Sequence, residues 1–453
     1  MITKLKWKSH PILGDLKLDF TNNGKIYDTI ILAGENGSGK TTILDTLSTF
    51  LNLGSIVPFD YIEYKIERKQ FRLYYDSEEN ASYGYHKRES LSNKETSDIF
   101  TSKYNNAELI NKDKYDIRYY GVAYSKARSG FKTEPVQYSM TTQLDSNKYT
   151  DDGNDDFTNL KQLIVDLAAQ DNSKWMKICE NKEKISFEEF KERAKLSRFK
   201  NAFNDFFDEL TFQGVDEEDS NEKKIIFNKN NKLIPLDSLS TGEKQIVFRG
   251  TQLLRNMNSI KDGIVLVDEP ELSMHPKWQE KILDYYRSLF TKDNKQFVQM
   301  IIATHSEYVI KSALKDKKNV LVIVLKEDNG VIIAKHITAP VVLPTITAAE
   351  INYTAFDILS TDYHIQLYGY LQEKTDKHSV MSCDKYIRES SQYIRNKHFK
   401  DYKHGETIYE TICSYIRNVI DHPDGGYSYT DSELRISIEL LRELLSEVCQ
   451  NAK

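Results

Sequence analysis

The chain has 453 residues, of which 39% are hydrophobic and 29% are charged, and a formal net charge of −6. Its length predicts two domains, its composition excludes a disordered chain, and the lack of an apolar run of about 18 residues excludes a membrane-spanning one. The negative net charge argues against a protein that coats nucleic acid. The four cysteines are widely spaced and the first residues do not form an apolar signal sequence, so we expect a reducing, cytoplasmic setting.

The first half of the chain predicts strands followed by helices. Residues 29–33 form a short apolar run before a glycine-rich segment, which is typical of a buried strand. Residues 60–77 and 116–124 are rich in Tyr, Ile, Phe and Val, which predicts an antiparallel β-subdomain. An aspartate-rich surface loop at residues 145–160 and helical spacing up to residue 212 then predict a helical insertion at about residues 145–230.

The second half changes to strand–helix alternation. Apolar runs at residues 264–267, 300–303 and 320–324 predict strands that are buried on both faces of a parallel sheet. After residue 346 the pattern is helical. The sequence therefore predicts an α/β domain over residues 1–345 and an all-α C-terminal domain over residues 346–453, with the boundary near Pro344.

Residues 34–41 match the pattern G-x-x-x-x-G-K-[ST] between a predicted strand and a predicted helix, the context of a P-loop. Backbone N–H groups of such a loop and the helix N-terminus surround phosphates. Lys40 is expected to bridge the β- and γ-phosphates of ATP, and the Thr41 hydroxyl to ligate Mg²⁺. The residues assigned to nucleotide binding are Gly34, Glu35, Asn36, Gly37, Ser38, Gly39, Lys40, Thr41 and Thr42.

Two carboxylates, Asp268 and Glu269, directly follow the apolar run at residues 264–267. Asp268 is expected to hold Mg²⁺ at the end of the strand, directly or through water. Glu269 is expected to polarise the attacking water as a general base. A strand that ends in acidic residues is common, but downstream of a P-loop the pattern predicts a nucleotide hydrolase.

The sequence Leu-Ser-Thr-Gly-Glu at residues 239–243 resembles the signature sequence of ABC-type ATPases, and Ser240 lies 28 residues before Asp268. The resemblance implies that Ser240 and Gly242 cap the γ-phosphate bound by the P-loop of a second subunit. The alternative is an ordinary helix N-terminus, with Ser240 and Glu243 forming a capping box.

Ala-Thr-His-Ser at residues 303–306 resembles the histidine switch of the same family. The resemblance implies that His305, which lies 36 residues after Glu269, contacts the γ-phosphate. It also implies a phosphate-sensing glutamine between the P-loop and the signature, for which Gln137 and Gln143 are candidates.

The sequence at residues 268–276, Asp-Glu-Pro-Glu followed by His-Pro, resembles the form found in RecF-like, SMC-like and OLD-like ATPases. The span between Lys40 and Ser240 is too long for a transporter ATPase and has no sustained heptads of a coiled coil. The chain most resembles the stand-alone ATPases of bacterial anti-phage systems, including Septu and retron-associated operons. This resemblance implies a homodimer or higher homo-oligomer with composite ATP sites, and a separate nuclease as partner.

A second pattern, R-N-x-x-x-H at residues 417–422, resembles the motif of HEPN ribonucleases. Arg417 and His422 could act on an RNA phosphodiester, or they could simply complement the end of a helix. Basic and aromatic residues alternate over residues 385–403, either as a contact for nucleic acid or as a solvated helix face. The alternatives are therefore an ATPase-regulated HEPN-like toxin ribonuclease and a RecF/SMC-like ATPase that clamps DNA.

Overall fold

The computed structural model describes residues 1–75, 85–100, 110, 112–151, 157–218, 221–337 and 342–451. The chain divides into two compact units, Met1–His336 and Ile337–Lys453. The boundary predicted near Pro344 lies within the second unit. Over the described residues, no helix has both the length and the apolar character that crossing a membrane requires.

The strands of the structure are short, and they alternate with helices after residue 240. The strands are β1 (Ile2–Trp7), β2 (Lys17–Asp19), β3 (Thr21–Asn22), β4 (Lys25–Ile26), β5 (Thr29–Gly34), β6 (Phe59–Ile66), β7 (Lys69–Tyr74), β8 (Tyr85–Ser90), β9 (Thr96–Phe100), β10 (Val122–Ser125), β11 (Tyr149–Asp151), β12 (Leu210–Asp216), β13 (Lys224–Lys229), β14 (Lys232–Pro235), β15 (Ile264–Asp268), β16 (Thr291–Lys292), β17 (Lys295–Gln296), β18 (Gln299–Thr304), β19 (Val320–Asp328), β20 (Val331–Ile337), β21 (Phe399–His404) and β22 (Thr407–Thr411).

The helices are α1 (Lys40–Leu51), α2 (Thr158–Glu180), α3 (Phe187–Arg193), α4 (Ser197–Phe206), α5 (Thr241–Leu254), α6 (Pro276–Leu289), α7 (Glu307–Lys315), α8 (Ala348–Phe356), α9 (Thr361–Thr375), α10 (Val380–Glu389), α11 (Arg395–His398), α12 (Ile412–Asp421) and α13 (Asp431–Asn451). Short 3₁₀ turns occupy Ile117–Tyr120, Leu236–Ser238 and Pro423–Gly425.

The centre of the first unit is a seven-stranded sheet in the order β11-β10-β15-β18-β5-β19-β20. Neighbouring strands from β11 to β19 run parallel, which confirms the predicted α/β class. Every residue of β5, β15 and β18 is buried, which explains their continuous apolar runs. Because parallel strands end at the same edge of a sheet, the residues that follow these three strands are brought together.

A second, antiparallel sheet has the order β2-β1-β6-β7-β8-β9. It contains β6 and β7, as predicted for residues 60–77, of which residues 76–77 lie outside the described part. The prediction for residues 116–124 is wrong, since β10 pairs in parallel with β15 of the central sheet. All four residues of β10 are buried, so its sequence carries no alternation that would distinguish the two kinds of sheet.

Among its described residues, the insertion is helical in α2, α3 and α4. Its last part forms a three-stranded antiparallel sheet, β12-β13-β14, where the sequence predicted helix and loop. Most phenylalanines of this region are buried, although Phe187 is exposed, and Phe203 contacts Phe212 and Phe227 across the α4–sheet interface. Residues 152–156 of the predicted aspartate-rich loop lie outside the described residues.

The second unit is mainly helical, and Leu434, Ile438, Leu441 and Leu445 of α13 are buried in its core. The prediction that it is all-α is wrong because β21 and β22 form a hairpin that opposes Tyr402 to Tyr409. Asp384 of α10 accepts hydrogen bonds from the backbone N–H groups of Glu410 and Thr411, which fixes the hairpin to the helices. Residues 399–403 of the basic and aromatic stretch therefore lie in strand β21 and not on a helix face.

Candidate functional site

The glycine-rich segment leaves the central strand β5 and enters α1. Gly39, the N-cap residue, has a φ of 84°, and a Cβ atom there would lie 2.5 Å from Leu13 Cδ2. Only glycine fits this left-handed, crowded position. The ammonium group of Lys40 donates hydrogen bonds to the carbonyl oxygens of Gly34 and Glu35, both at 2.8 Å. Burial lowers the pKa of Lys40. The loop thus curves around a cation at the start of a helix, the arrangement that suits a polyphosphate.

The Thr41 hydroxyl donates a hydrogen bond to Asp268 Oδ2 at 2.9 Å, which joins α1 to the end of β15. The other carboxylate oxygen, Oδ1, is buried and has no hydrogen-bond partner among the described residues. Burial raises the pKa of Asp268 to about 6. A buried carboxylate with one free oxygen beside a hydroxyl is a donor set for a hard divalent cation.

Glu269, His305 and Glu271 form a second group at the same edge of the sheet. His305 Nδ1 lies 3.4 Å from Glu269 Oε1 and 3.5 Å from Glu271 Oε1. The hydrogen bond between Glu269 and His305 lowers the pKa of Glu269 and raises the pKa of His305. Glu269 therefore carries its negative charge at neutral pH, as a general base requires.

Glu271 has a role that the motif comparison did not assign. Its side chain is buried, and its Oε1 accepts hydrogen bonds from the Thr304 hydroxyl at 2.7 Å and from the His305 backbone N–H at 3.0 Å. It therefore holds the turn that presents the His305 imidazole. The last glutamate of the Asp-Glu-Pro-Glu sequence was the signal available from the sequence, but the pattern alone does not show which backbone groups it contacts.

Five predicted residues are thus placed in one cluster: Lys40, Thr41, Asp268, Glu269 and His305. The charges of Asp268 and Glu269 act on the Lys40 ammonium, and the Lys40 charge acts on His305. The P-loop residues Glu35, Asn36 and Gly37 are exposed, while Gly34, Ser38 and Gly39 are buried, and Thr42 is half-buried in α1.

The glutamine candidates Gln137 and Gln143 are exposed, and the segment between them forms hydrogen bonds with α2. The backbone N–H of Met140, between them, donates a hydrogen bond to Asp166 of α2 at 2.7 Å. Gln170, further along α2, donates a hydrogen bond to the carbonyl oxygen of Thr142.

Ser240 is the N-cap of α5 and forms a complete capping box with Glu243. The backbone N–H and the hydroxyl of Ser240 each donate to Glu243 Oε2 at 2.8 Å. A Cβ atom at Gly242 would lie 2.8 Å from the carbonyl oxygen of Ser273, so this position requires glycine. The capping role is therefore present in the structure, while the exposed Ser240 and Thr241 leave the outer face of the loop accessible.

Arg417 and His422, the two residues of the ribonuclease-like motif, each contact another side chain of the second unit. Arg417 forms an ion pair with Asp421 at 2.7 Å, within the same helix α12. His422 lies just beyond the end of α12, and its ring stacks on that of His404, with centroids 5.0 Å apart. The nearby basic residues also form ion pairs: Lys385 with Glu389, Arg388 with Glu410, Lys397 with Glu439, and Lys400 with Glu433.

A magnesium ion fits between Asp268 and Thr41, where the Asp268 Oδ1 atom and the Thr41 hydroxyl would be its ligands. Nowhere in the described ranges do three or more His, Cys, Asp or Glu side chains come together in a way that could hold a metal. Magnesium at nucleotide sites uses one or two carboxylates and completes its coordination with phosphate oxygens and water, so this small donor set is sufficient.

Comparison with protein families agrees with this geometry. The family model described as "AAA domain, putative AbiEii toxin, Type IV TA system" matches residues 30–311, more than half of the chain. The chain belongs to this AAA-domain family. The matched region of the AAA-domain chain contains the P-loop, the signature-like sequence, Asp268, Glu269 and His305.

Relatives of this AAA-domain chain include retron and Septu proteins, which confirms the resemblance to the ATPases of these systems. It is 24% identical to the "Retron Vc95 probable ATPase" of Vibrio cholerae serotype O1 biovar El Tor, over 67% of this chain and 70% of that protein. It is 23% identical to the "Septu protein PtuA" of Bacillus thuringiensis, over 69% of this chain and 74% of that protein.

Among solved structures, the Smc head domain with an extended coiled coil from Pyrococcus furiosus matches 74% of this chain and 96% of its own. The identity is 15% and the TM-score is 0.40.

Proposed function

We propose that this chain binds and hydrolyses ATP with Mg²⁺ and acts as the sensor or scaffold of an anti-phage complex. The observation that carries the proposal is the cluster of Lys40, Thr41, Asp268, Glu269 and His305 at one edge of the parallel sheet. Its relatives in retron and Septu systems support the biological setting.

Each side chain of the cluster has a role that its surroundings support. Lys40 binds the β- and γ-phosphates, after exchanging its hydrogen bonds to the Gly34 and Glu35 carbonyls for phosphate oxygens. Thr41 and Asp268 would hold Mg²⁺, which neutralises charge on the phosphates. Glu269 accepts a proton from the attacking water, and His305, held by Glu271, lies beside it to contact the γ-phosphate.

We propose that two copies of the chain complete each other's sites. One chain would supply Lys40, Asp268, Glu269 and His305, and the other would supply Ser240 and Gly242. The accessible outer face of Ser240 at the N-terminus of α5 supports this arrangement, because N–H groups there can face an anion.

We further propose that the nuclease of the complex is a separate polypeptide. The ion pair of Arg417 with Asp421 and the stacking of His422 on His404 engage both residues of the motif, which favours this over a ribonuclease site in the second unit. The basic residues between positions 385 and 400 of the second unit are largely ion-paired. They therefore give no specific support to an ATPase that clamps DNA.

The direct test is ATP hydrolysis by purified protein. Lys40→Ala removes the cation that faces the phosphates and should lower hydrolysis to background, since phosphate-directed charge supplies most of the catalysis in this chemistry. Lys126→Ala serves as the charge-matched control, because the Lys126 ammonium forms a 3.6 Å ion pair with Asp45 of the same helix α1 that Lys40 begins. Hydrolysis by Lys40→Ala at the parent rate would contradict the proposed function.

A further inference from the structure

Arg249 of α5 has its whole side chain buried, although a charged group is costly to bury. None of the ion pairs found within the described ranges includes it. Instead the guanidinium group donates to backbone and hydroxyl oxygens. In the sequence Arg249 follows the apolar residues Ile246, Val247 and Phe248. A charged residue next to this apolar run was the only sign in the sequence that Arg249 has a special role.

Four hydrogen bonds of Arg249 reach two strand ends of the central sheet. Nη2 donates to the carbonyl oxygen of Asp268 at 2.6 Å, and Nη1 donates to that of Glu269 at 3.0 Å. Nε donates to the Ser125 hydroxyl at 2.8 Å, and Nη2 also donates to the Ser125 carbonyl oxygen at 3.0 Å. The single guanidinium group of Arg249 therefore binds the end of β10 and the backbone of Asp268 and Glu269, which carry the proposed catalytic carboxylates.

The segment that Arg249 holds is strained. Glu269 has a φ of 44°, in the left-handed region that side chains other than glycine rarely adopt. Its backbone N–H donates to the carbonyl oxygen of Ala303 at 2.9 Å, so β18 fixes one side of this residue and Arg249 fixes the other. Strain of this kind persists only where the surrounding structure imposes it.

We propose that Arg249 is a positioning residue that holds Asp268 and Glu269 of its own chain in their working conformation and ties them to α5. This proposal rests on the proposed function, because it assigns Glu269 as the base. Helix α5 begins at Ser240, and Gly242 of its first turn packs against Ser273 in the segment that follows Glu269. A shift of Ser240 against a second subunit would therefore be transmitted to Glu269 through a single rigid helix.

The test replaces the guanidinium group of Arg249 and measures backbone hydrogen exchange in the segment that it holds. In Arg249→Lys the buried positive charge stays, but a single ammonium cannot reach all four acceptors. Hydrogen exchange of the nucleotide-free protein should become at least about tenfold faster at residues 269–274 than in the parent, because the lost bonds constrain this turn. If Arg249→Lys does not fold, Arg249→Gln removes the charge and retains an amide donor for the same measurement.

Thr251→Val is the matched control. Thr251 is also buried on α5, but its hydroxyl donates to the Val247 carbonyl oxygen within the same helix, so its loss should leave exchange at residues 269–274 unchanged. In the kinetic arm, Arg249→Lys should lower kcat on the order of ten- to a hundredfold through misplacement of Glu269, with nucleotide affinity changed less than about twofold.

Unchanged exchange at residues 269–274 in the Arg249 variant would overturn the proposal. So would acceleration that is spread evenly over the chain, with kcat and affinity falling together, because that is the result of a merely structural role. If the parent protein hydrolysed no ATP, the proposed function would fail, while the exchange result would still decide the role of Arg249.

Discussion

Asp268 and Glu269 are neighbours in the chain, but they lie in different environments. Burial raises the pKa of Asp268 to about 6, whereas the hydrogen bond with His305 lowers the pKa of Glu269. A cation that binds Asp268 keeps it ionised, and Glu269 is already ionised and next to the imidazole. Two adjacent carboxylates are therefore suited to two tasks, metal binding and proton acceptance.

We expect the two carboxylates to separate in mutagenesis. Glu269→Gln keeps the shape of the site but cannot accept the proton, so hydrolysis should fall at least about a hundredfold while Mg²⁺-dependent ATP binding persists. Asp268→Ala should instead remove the magnesium dependence of nucleotide binding. Nucleotide affinity measured with and without Mg²⁺ distinguishes them, and an equal loss of affinity in both variants would contradict the separate roles.

His364, in the second unit, gives a pH-dependent prediction that is independent of the ATP site. It is completely buried, its Nε2 lies 2.9 Å from the Ser437 hydroxyl, and burial lowers its pKa to about 3. The folded chain keeps the imidazole neutral, while the unfolded chain protonates it below about pH 6.5. Stability from this residue is therefore complete above that pH and is lost progressively as the pH falls towards 3.

Between pH 7.5 and pH 5 this residue should lower the free energy of unfolding by about 2 kcal/mol, since each pH unit below 6.5 costs about 1.4 kcal/mol. Urea unfolding at both pH values measures the loss, and His364→Gln, which does not titrate, should lose that much less than the parent. An identical pH dependence in the two proteins would show that His364 titrates normally in the fold.

The chemistry of single residues was accessible from the sequence where a motif places a side chain on a known backbone. Lys40 and Thr41 follow from the P-loop pattern because loop and helix N-terminus are contiguous in the chain. The contacts of Glu271 and Arg249 could not be predicted, since their partners lie 33 or 34 and 19 or more residues away, respectively, and are mostly backbone atoms.

Helix α5 combines two explanations for the same residues. The capping box of Ser240 and Glu243 stabilises the N-terminus of the helix. The resemblance to the signature sequence implies, in addition, that Ser240 contacts a phosphate. Both uses of the side chain are compatible, because the cap involves the Glu243 carboxylate and N–H while the outer face is exposed. A substitution that retains the cap can therefore isolate the second role.

Ser240→Asp makes this separation. Aspartate still accepts the hydrogen bond from the Glu243 N–H, but it cannot donate to Glu243 Oε2 and repels that carboxylate, so the free energy of unfolding should fall by about 1 to 2 kcal/mol while the protein stays folded. Its negative charge would face the γ-phosphate, so ATP hydrolysis should be lost by repulsion. Ser240→Thr, which keeps the hydroxyl, is the control and should retain both properties. Parent-level hydrolysis by the Ser240→Asp protein would leave capping as the whole role of this residue.

The elements that were mispredicted share a physical cause. The hairpin of β21 and β22 depends on Asp384, a residue of α10 that binds the backbone of residues 410 and 411 from a distance in the chain. Likewise β10 joins the parallel sheet through its register with β15, and a four-residue buried strand does not encode its partner. By contrast, the strands β5, β15 and β18 were predictable because burial on both faces leaves an apolar run.

For the whole molecule, the central claim is that one chain holds two incomplete halves of different ATP sites. On this proposal, the cluster around Lys40 and Glu269 would form one half, and the Ser240 loop at the N-terminus of α5 would form the other. A head-to-tail pair would join them twice, in a symmetric dimer with two composite sites.

The most direct test mixes two variants that are each inactive. Lys40→Ala disables the P-loop, and Ser240→Arg blocks the signature-like loop with a bulky side chain. In a mixed pair, one composite site carries both defects and the other carries neither. ATP hydrolysis by the mixture should therefore recover, up to about half the parent rate per mixed pair if the sites act independently. No recovery, although subunit exchange between the two variants is demonstrated, would contradict composite sites.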